Sequence, residues 1–241
     1  MSPDAKAEQL IVALDVSTQE KAIELVRMLK DQVGTFKIGL QLFTAAGPNI
    51  VQKILQEGVQ VFLDLKFHDI PNTVSQAALE AARLGAQMMT LHTLGGEAMM
   101  KQTRDTLQEC SLKEGWPRPR LLGVTLLTSM DQQMLPSLGI DRPLDQEVLH
   151  LARSAQEAGL DGIVSSPREL PLLRQERREG FLLVTPGIRS GKAKSDDQRR
   201  TMTASEALAA GADYLVVGRP IVQSQDPVQA VQTLLGEIPI G

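Results

Sequence analysis

The chain is short of the residues that mark several classes of protein. Its one cysteine, Cys110, excludes an intrachain disulfide framework and a multi-thiolate metal site, so a reducing compartment is expected and Cys110 reads as a small helix side chain. Five Phe, one Trp and one Tyr are too few to build stacking platforms for single-stranded nucleic acid. The histidines number three, His68, His92 and His150, and no cluster of ligand-type residues has metal-ligand spacing, so no metal site is expected. His150, between Leu149 and Leu151, reads as a surface or partly buried helix residue, and His92 could face a barrel mouth. No apolar run approaches the roughly 18 residues of a membrane helix, and residues 1–9 lack the basic and apolar regions of a secretory leader. Charge of neither sign dominates: 25 Lys and Arg stand against 29 Asp and Glu, a net charge of −4. No nucleic-acid or membrane partner is expected from that balance, and the single cysteine with the lack of leader and membrane patterns makes a cytoplasmic location the expectation.

What is present is a repeating pattern over 241 residues that are 42% hydrophobic and 22% charged, ordinary values for a chain with a sizeable core. Seven β-rich runs each follow a glycine that ends an amphipathic stretch: Gly34, Gly58, Gly85, Gly115, Gly159, Gly180 and Gly211. A glycine just past a helix adopts the left-handed conformation without a Cβ clash, so each is read as a helix stop followed by a strand. An eighth strand, Leu10 to Val16, is predicted to open the chain with no helix before it. Capping boxes are read at Ser17 to Glu20 and Thr203 to Glu206, and Asp226-Pro227 supplies a cap and an N1 proline for the last helix. Nearly continuous apolar strands such as Leu10-Ile11-Val12-Ala13-Leu14 suit parallel strands covered on both faces. Eight β-α repeats predict a single (β/α)₈ TIM barrel in the α/β class, with an open doubly wound sheet as the alternative. With no linker or change of composition, residues 1–241 are read as one catalytic domain. The segments Met130 to Pro143 and Arg189 to Met202 are longer than a barrel needs, and the second, polar and on the C-terminal face, suits a closing lid. Mixed charges from Arg174 to Glu179 read as a solvated helix end.

The third strand reads Asp64-Leu65-Lys66-Phe67-His68-Asp69. Alternation along a strand places Asp64 and Lys66 on one face, with His68 as the third member. Opposite charges on one face of an apolar strand are costly to bury unless paired, which leaves either a rim salt bridge or a reaction site. Lys37 on the second strand and Asp15 at the end of the first add charges at the same rim, making a coupled array. After strands seven and eight, Thr185-Pro186-Gly187-Ile188-Arg189 and Gly218-Arg219-Pro220 occupy the positions where barrels hold phosphate: glycine admits backbone N–H groups and arginine offers a charged fork. A phosphorylated ligand is expected.

These segments together resemble the bacterial type of the orotidine 5′-phosphate decarboxylase family. The resemblance rests on Ala13-Leu14-Asp15, Lys37, the run from Asp64 to Thr73, Val124 to Ser129, Thr185 to Arg189, Asp197-Gln198-Arg199-Arg200 and Val217 to Pro220, and so spans nearly the whole chain. It implies conversion of orotidine 5′-phosphate to UMP and CO₂, the last step of de novo pyrimidine synthesis, by a homodimer that uses no metal or organic cofactor. It implies further that Lys66 is the acid that protonates the ring carbon losing CO₂, and that Asp64 lies beside the departing carboxylate. Lys37, Asp64, Lys66 and Asp69 would form an alternating array, with Asp69 donated by the neighbouring subunit. Asp15 and Lys37 would contact ribose hydroxyls, as would Asp69 and Thr73 of the partner segment. Thr128 would read the pyrimidine; Arg189, Gln198, Gly218 and Arg219 would hold the phosphate end. Two other readings compete. A magnesium-dependent sugar-phosphate decarboxylase or aldol-type synthase shares the Asp-x-Lys strand but carries an acidic residue where Lys37 stands, and a noncatalytic nucleotide-sensing barrel would not need the charge array.

Overall fold

An apolar strand buried on both faces must pair its backbone on both edges, and a ring of parallel strands does so without leaving an edge. The computed structural model, which describes residues 3–189 and 201–238, has this form. Its strands are β1 (Leu10–Ala13), β2 (Thr35–Gly39), β3 (Gln60–Phe67), β4 (Met88–His92), β5 (Arg120–Val124), β6 (Gly162–Val164), β7 (Leu182–Pro186) and β8 (Tyr214–Val217). Each pairs in parallel with its neighbours in sequence order, and β8 closes on β1 through Leu10↔Leu215, Ile11↔Val216 and Val12↔Val217. The closure removes the doubly wound alternative; the fold is a single (β/α)₈ barrel. Ile11, Ala13, Phe62, Met88, Leu122, Val184 and Val216 fill the interior, while the opposite strand faces, with residues such as Leu10, Phe36, Leu63 and Leu183, pack under the surrounding helices.

Most junctions take the form that their local signals predict; Gly34, the first strand and the Ser17–Glu20 cap differ. Six of the seven glycines have positive φ; Gly34 does not, because it has already joined the sheet, its carbonyl accepting from the Gln60 N–H at 2.8 Å. The first strand stops at Ala13 rather than Val16, where Asp15 N–H turns back to the Ala13 carbonyl (2.9 Å), and a helix, Pro3–Gln9, does precede it. Residues 3–9 are mostly strong helix formers, and Lys6 Nζ ties that helix to the Ile238 carbonyl. The cap of the helix Gln19–Leu29 is Thr18, whose side chain accepts from the Lys21 N–H, not a Ser17–Glu20 box. The Thr203–Glu206 box and the Asp226 cap are both formed. Within the first long connection Leu135–Leu138 forms a 3₁₀ turn. Of the second, residues 190–200 lie outside the described residues, though its ends pair at Ile188↔Met202.

One device recurs at the N-terminal end of the barrel. The residue just before an even-numbered strand accepts a hydrogen bond from the second N–H of the preceding odd strand: Gln87 Oε1 from Val61 (2.6 Å), Asp161 Oδ2 from Leu121 (2.7 Å) and Asp213 Oδ2 from Leu183 (2.7 Å). Arg118 clamps Asp161 through two nitrogens at 2.9 and 2.5 Å, and Arg177 pairs with Asp213. Arg177 is therefore part of a strand clasp and not merely of a solvated helix end. Asp161→Ala would leave both the Leu121 N–H and Arg118 without this carboxylate, and should cost about 2 kcal/mol, with Asp161→Asn losing less because it keeps an acceptor. The urea midpoints of the three proteins measure this.

Candidate active site

Alternation along the strands fixes what faces the barrel axis. At mid-height the inward residues are apolar; one layer further toward the C-terminal ends they include Lys37 and Asp64, with Asp15 and Lys66 just above. A cavity opens there, walled by Phe62, Val124, Leu126, Val164, Pro186 and Val216 and rimmed by Thr128, Gly187, Arg189, Gly218 and Arg219. Counted out through its mouth, it leaves about 910 Å³ free of protein atoms.

The buried carboxylate of Asp64 is the hub. Lys66 Nζ lies 2.8 Å from its Oδ1 and Lys37 Nζ 3.3 Å from its Oδ2, and Lys37 also reaches Asp15 Oδ1 at 3.5 Å. Burial alone would raise the Asp64 pKa, but the two ammonium groups and hydrogen bonds from Lys66 and Thr90 outweigh it, so the carboxyl is held below its usual range and is ionised at neutral pH. Lys37 is buried at 9% exposure and Lys66 only partly, so Lys66 presents its ammonium to the cavity.

A bulge aims Lys66. Leu63 pairs with Met89 and Phe67 with Leu91, so four steps along β3 match two along β4, and Lys66 adopts φ +52°, the one positive φ at a non-glycine among the described residues. Because of this irregularity His68 does not continue the Asp64–Lys66 face, as simple alternation predicts. It lies outside the cavity, exposed, with its ring stacked on His92 at 5.4 Å between centroids. At the mouth, Gly218 leaves room for Asp15: a Cβ there would lie 2.6 Å from Asp15 Oδ2 and would displace that carboxylate.

The structure thus brings Asp15, Lys37, Asp64, Lys66, Thr128, Arg189, Gly218 and Arg219 around one cavity. Asp69 and Thr73 do not join them. Asp69 is exposed and accepts from the Ile70 N–H at 2.6 Å, and Thr73 is exposed on the helix Pro71–Arg83. Gln198 lies outside the described residues. His150 is exposed on the helix Leu144–Glu157. Among the described residues no group of three or more His, Cys, Asp or Glu side chains is placed to hold a metal ion, and no helix is long and apolar enough to cross a membrane. Two features escaped sequence reasoning. The apolar walls carry no motif, and Thr90 on β4 joins the array from a strand without charges; its signal was its alternation with Met88.

The fold and the cavity define an enzyme class: a (β/α)₈ barrel with a charged floor at the C-terminal ends of its strands and arginines at the rim. The chain belongs to the orotidine 5′-phosphate decarboxylase / HUMPS family, whose profile matches residues 8–234. It is 51% identical over 231 residues to the orotidine 5′-phosphate decarboxylase of Syntrophotalea carbinolica, covering 96% of this chain and 95% of the relative. With the enzyme of the same name from Geobacter sulfurreducens it shares 48% over 241 residues, the whole of both chains. The crystal structure of orotidine 5′-phosphate decarboxylase from Lactobacillus acidophilus superposes with a TM-score of 0.83 at 36% identity, covering 97% of this chain and all of that one.

His92 generates a prediction about stability. Burial, then His68 and Lys66, push its pKa below the ordinary 6.5, and its Nδ1 is buried without a hydrogen-bond partner. The unfolded chain therefore takes up this proton at a higher pH than the folded protein does. Stability should fall as pH drops through about 6.5 and stop falling, for this group, once the folded value is passed. In His92→Phe, the difference in urea midpoint between about pH 7.5 and about pH 5 should be smaller than in the parent.

Proposed function

We propose that this protein decarboxylates orotidine 5′-phosphate to UMP and CO₂, the last step of de novo pyrimidine synthesis, without a metal or organic cofactor. The observation that carries this reading is the alternating Asp15–Lys37–Asp64–Lys66 array on the floor of a cavity rimmed by arginines, in a chain of this family. Breaking the bond between the pyrimidine ring and its carboxylate leaves an electron pair in an sp² orbital on the ring carbon, where resonance helps little. A fixed cation beside that carbon lowers the cost, and an acid there completes the reaction. Lys66 fills both roles: its ammonium, held by Asp64, stabilises the developing charge and then gives its proton to the carbon as CO₂ leaves. Asp64 lies beside the departing carboxylate.

The remaining assignments follow the same orientation of substrate. Asp15 and Lys37 take ribose hydroxyls, Thr128 reads the pyrimidine, and Arg189, Gln198, Gly218 and Arg219 hold the phosphate. Phosphate binding, remote from the reacting carbon, supplies energy for closing the site against water. We assign Asp69 and Thr73 to the cavity of a second subunit in a homodimer, which accounts for their distance from their own. Supporting this, Leu40, Ile70 and Leu94 stand exposed by 57%, 66% and 42% just past the ends of the neighbouring strands β2, β3 and β4, on one side of the cavity mouth. One catalytic domain spanning residues 1–241 and a cytoplasmic location accord with this role. Lys37 disfavours the magnesium-dependent alternative, since its ammonium would repel a cation bound between Asp15 and Asp64.

The direct test is the fall in absorbance of orotidine 5′-phosphate on adding the purified protein, which should survive exhaustive chelation; loss with EDTA and recovery with Mg²⁺ would favour the sugar-phosphate reading instead. Lys66→Ala should abolish turnover while UMP still binds, and turnover within about tenfold of the parent would remove Lys66 as the acid. Mixing Lys66→Ala with Asp69→Ala subunits tests the shared site. Each heterodimer would hold one intact site, so random exchange should restore about a quarter of the parent's activity. No recovery after confirmed exchange would return Asp69 to its own chain.

A further inference from the structure

The cavity accounts for every charged group on the inner rim of β3, but not for the hydroxyl behind it. Thr90 is buried at 0% exposure in the middle of β4, between Met89 and Leu91 and opposite Leu122 of β5. Its Oγ1 accepts a hydrogen bond from the Lys66 backbone N–H at 2.9 Å and donates one to Asp64 Oδ1 at 2.9 Å. That oxygen is also the one Lys66 Nζ approaches at 2.8 Å. A hydroxyl has one hydrogen and two lone pairs, and here the hydrogen and one lone pair are committed to two groups of the array. The links form a ring: Lys66 N–H to Thr90, Thr90 O–H to Asp64, Asp64 back to the Lys66 ammonium.

The ring answers a specific need of the bulge. The β3–β4 register pairs Leu63 and Phe67 and skips Asp64, Leu65 and Lys66, and the β2–β3 ladder ends at Gly39↔Asp64, so neither ladder positions Lys66. Lys66 stands at φ +52°, which an L residue holds only when its surroundings over-determine it. Thr90 supplies the missing constraint at both ends of the residue. Its acceptor pins the backbone, and its hydrogen points Asp64 so that one carboxylate oxygen meets Lys66 and the other meets Lys37.

We propose that Thr90 is a positioning residue for the decarboxylation, setting the direction of the Lys66 ammonium through the Lys66 backbone and Asp64 without touching substrate. This rests on the assignment of Lys66 and Asp64 made above. A residue that merely filled the core would be served equally well by valine, which has nearly the same shape and no hydroxyl; a positioning hydroxyl is preserved in serine and lost in valine.

The test compares Thr90→Val, Thr90→Ser and Thr90→Cys with the parent, measuring kcat, KM, UMP affinity and a crystal structure of each. Thr90→Val should lower kcat about a hundredfold, as a displacement of roughly 1 Å at a reacting group does, and leave UMP affinity within about threefold, since the phosphate contacts are untouched. Thr90→Ser should keep kcat within about threefold of the parent, and Thr90→Cys, a weak donor, should fall between Ser and Val. In the Val structure the Lys66 Nζ to Asp64 separation should lengthen or Lys66 should leave positive φ. If Val turns over as the parent does, or if Ser is impaired as much as Val, the proposal is overturned while the decarboxylase reading stands. Should Val not fold, Cys equal to Ser in kcat overturns it. A parent with no turnover of orotidine 5′-phosphate overturns the functional reading instead, and the crystal structures then decide the positional claim: unchanged Lys66 and Asp64 geometry in the valine or cysteine protein refutes it.

Discussion

The arrangement depends on a carboxylate whose charged form is disfavoured by burial and favoured by its neighbours. Asp64 is buried near the axis of an apolar barrel, and its charge survives there because two ammonium groups and a hydroxyl surround it. The dependence runs both ways, since Asp64 is the carboxylate that both ammonium groups share beside Phe62, Val124 and Val164. A reaction centre with this much opposing charge is preorganised: the cation is in place before the substrate arrives, and little has to rotate or shed water when charge develops.

The barrel supplies what such a centre requires. Residues two apart on β3 rise through the interior as Phe62, Asp64 and Lys66, passing from apolar core to charged floor to open cavity. The layer beneath is apolar and buried, and the clasps made by Gln87, Asp161 and Asp213 tie the far end of strands β3, β5 and β7. Stability is thus concentrated at one end of the barrel and chemistry at the other, so a locally strained Lys66 rests on a rigid base.

Regular structure and irregular structure contribute differently to the site. Asp15, Lys37, Gly218 and Arg219 reach the cavity because strands end where they do, at a common rim. Lys66 is aimed by a departure from strand geometry, and the same departure carries His68 away to stack on His92. The exit of β3 therefore turns one stretch of chain from the inside of its own barrel toward Asp69, Ile70 and the exposed apolar side of the mouth.

Much of this was legible in the residues alone. Eight apolar runs, their glycine stops and the Thr203 and Asp226 caps announced a barrel because they report short-range physics: backbone conformation, hydrogen-bond satisfaction at helix ends, and burial of both strand faces. The convergence of Asp15, Lys37, Asp64 and Lys66 was legible too, since parallel strands in sequence order bring their C-terminal ends together. The bulge at Lys66, the outward turn of His68, the bond from Gln60 to Gly34 and the hydroxyl of Thr90 were not. Each is decided by which residue of one strand lies beside which residue of the next. Thr90 lies 24 residues from Lys66 and 26 from Asp64 across the β3–β4 boundary, and only the closed barrel, by fixing that register, makes the three one hydrogen-bonded unit.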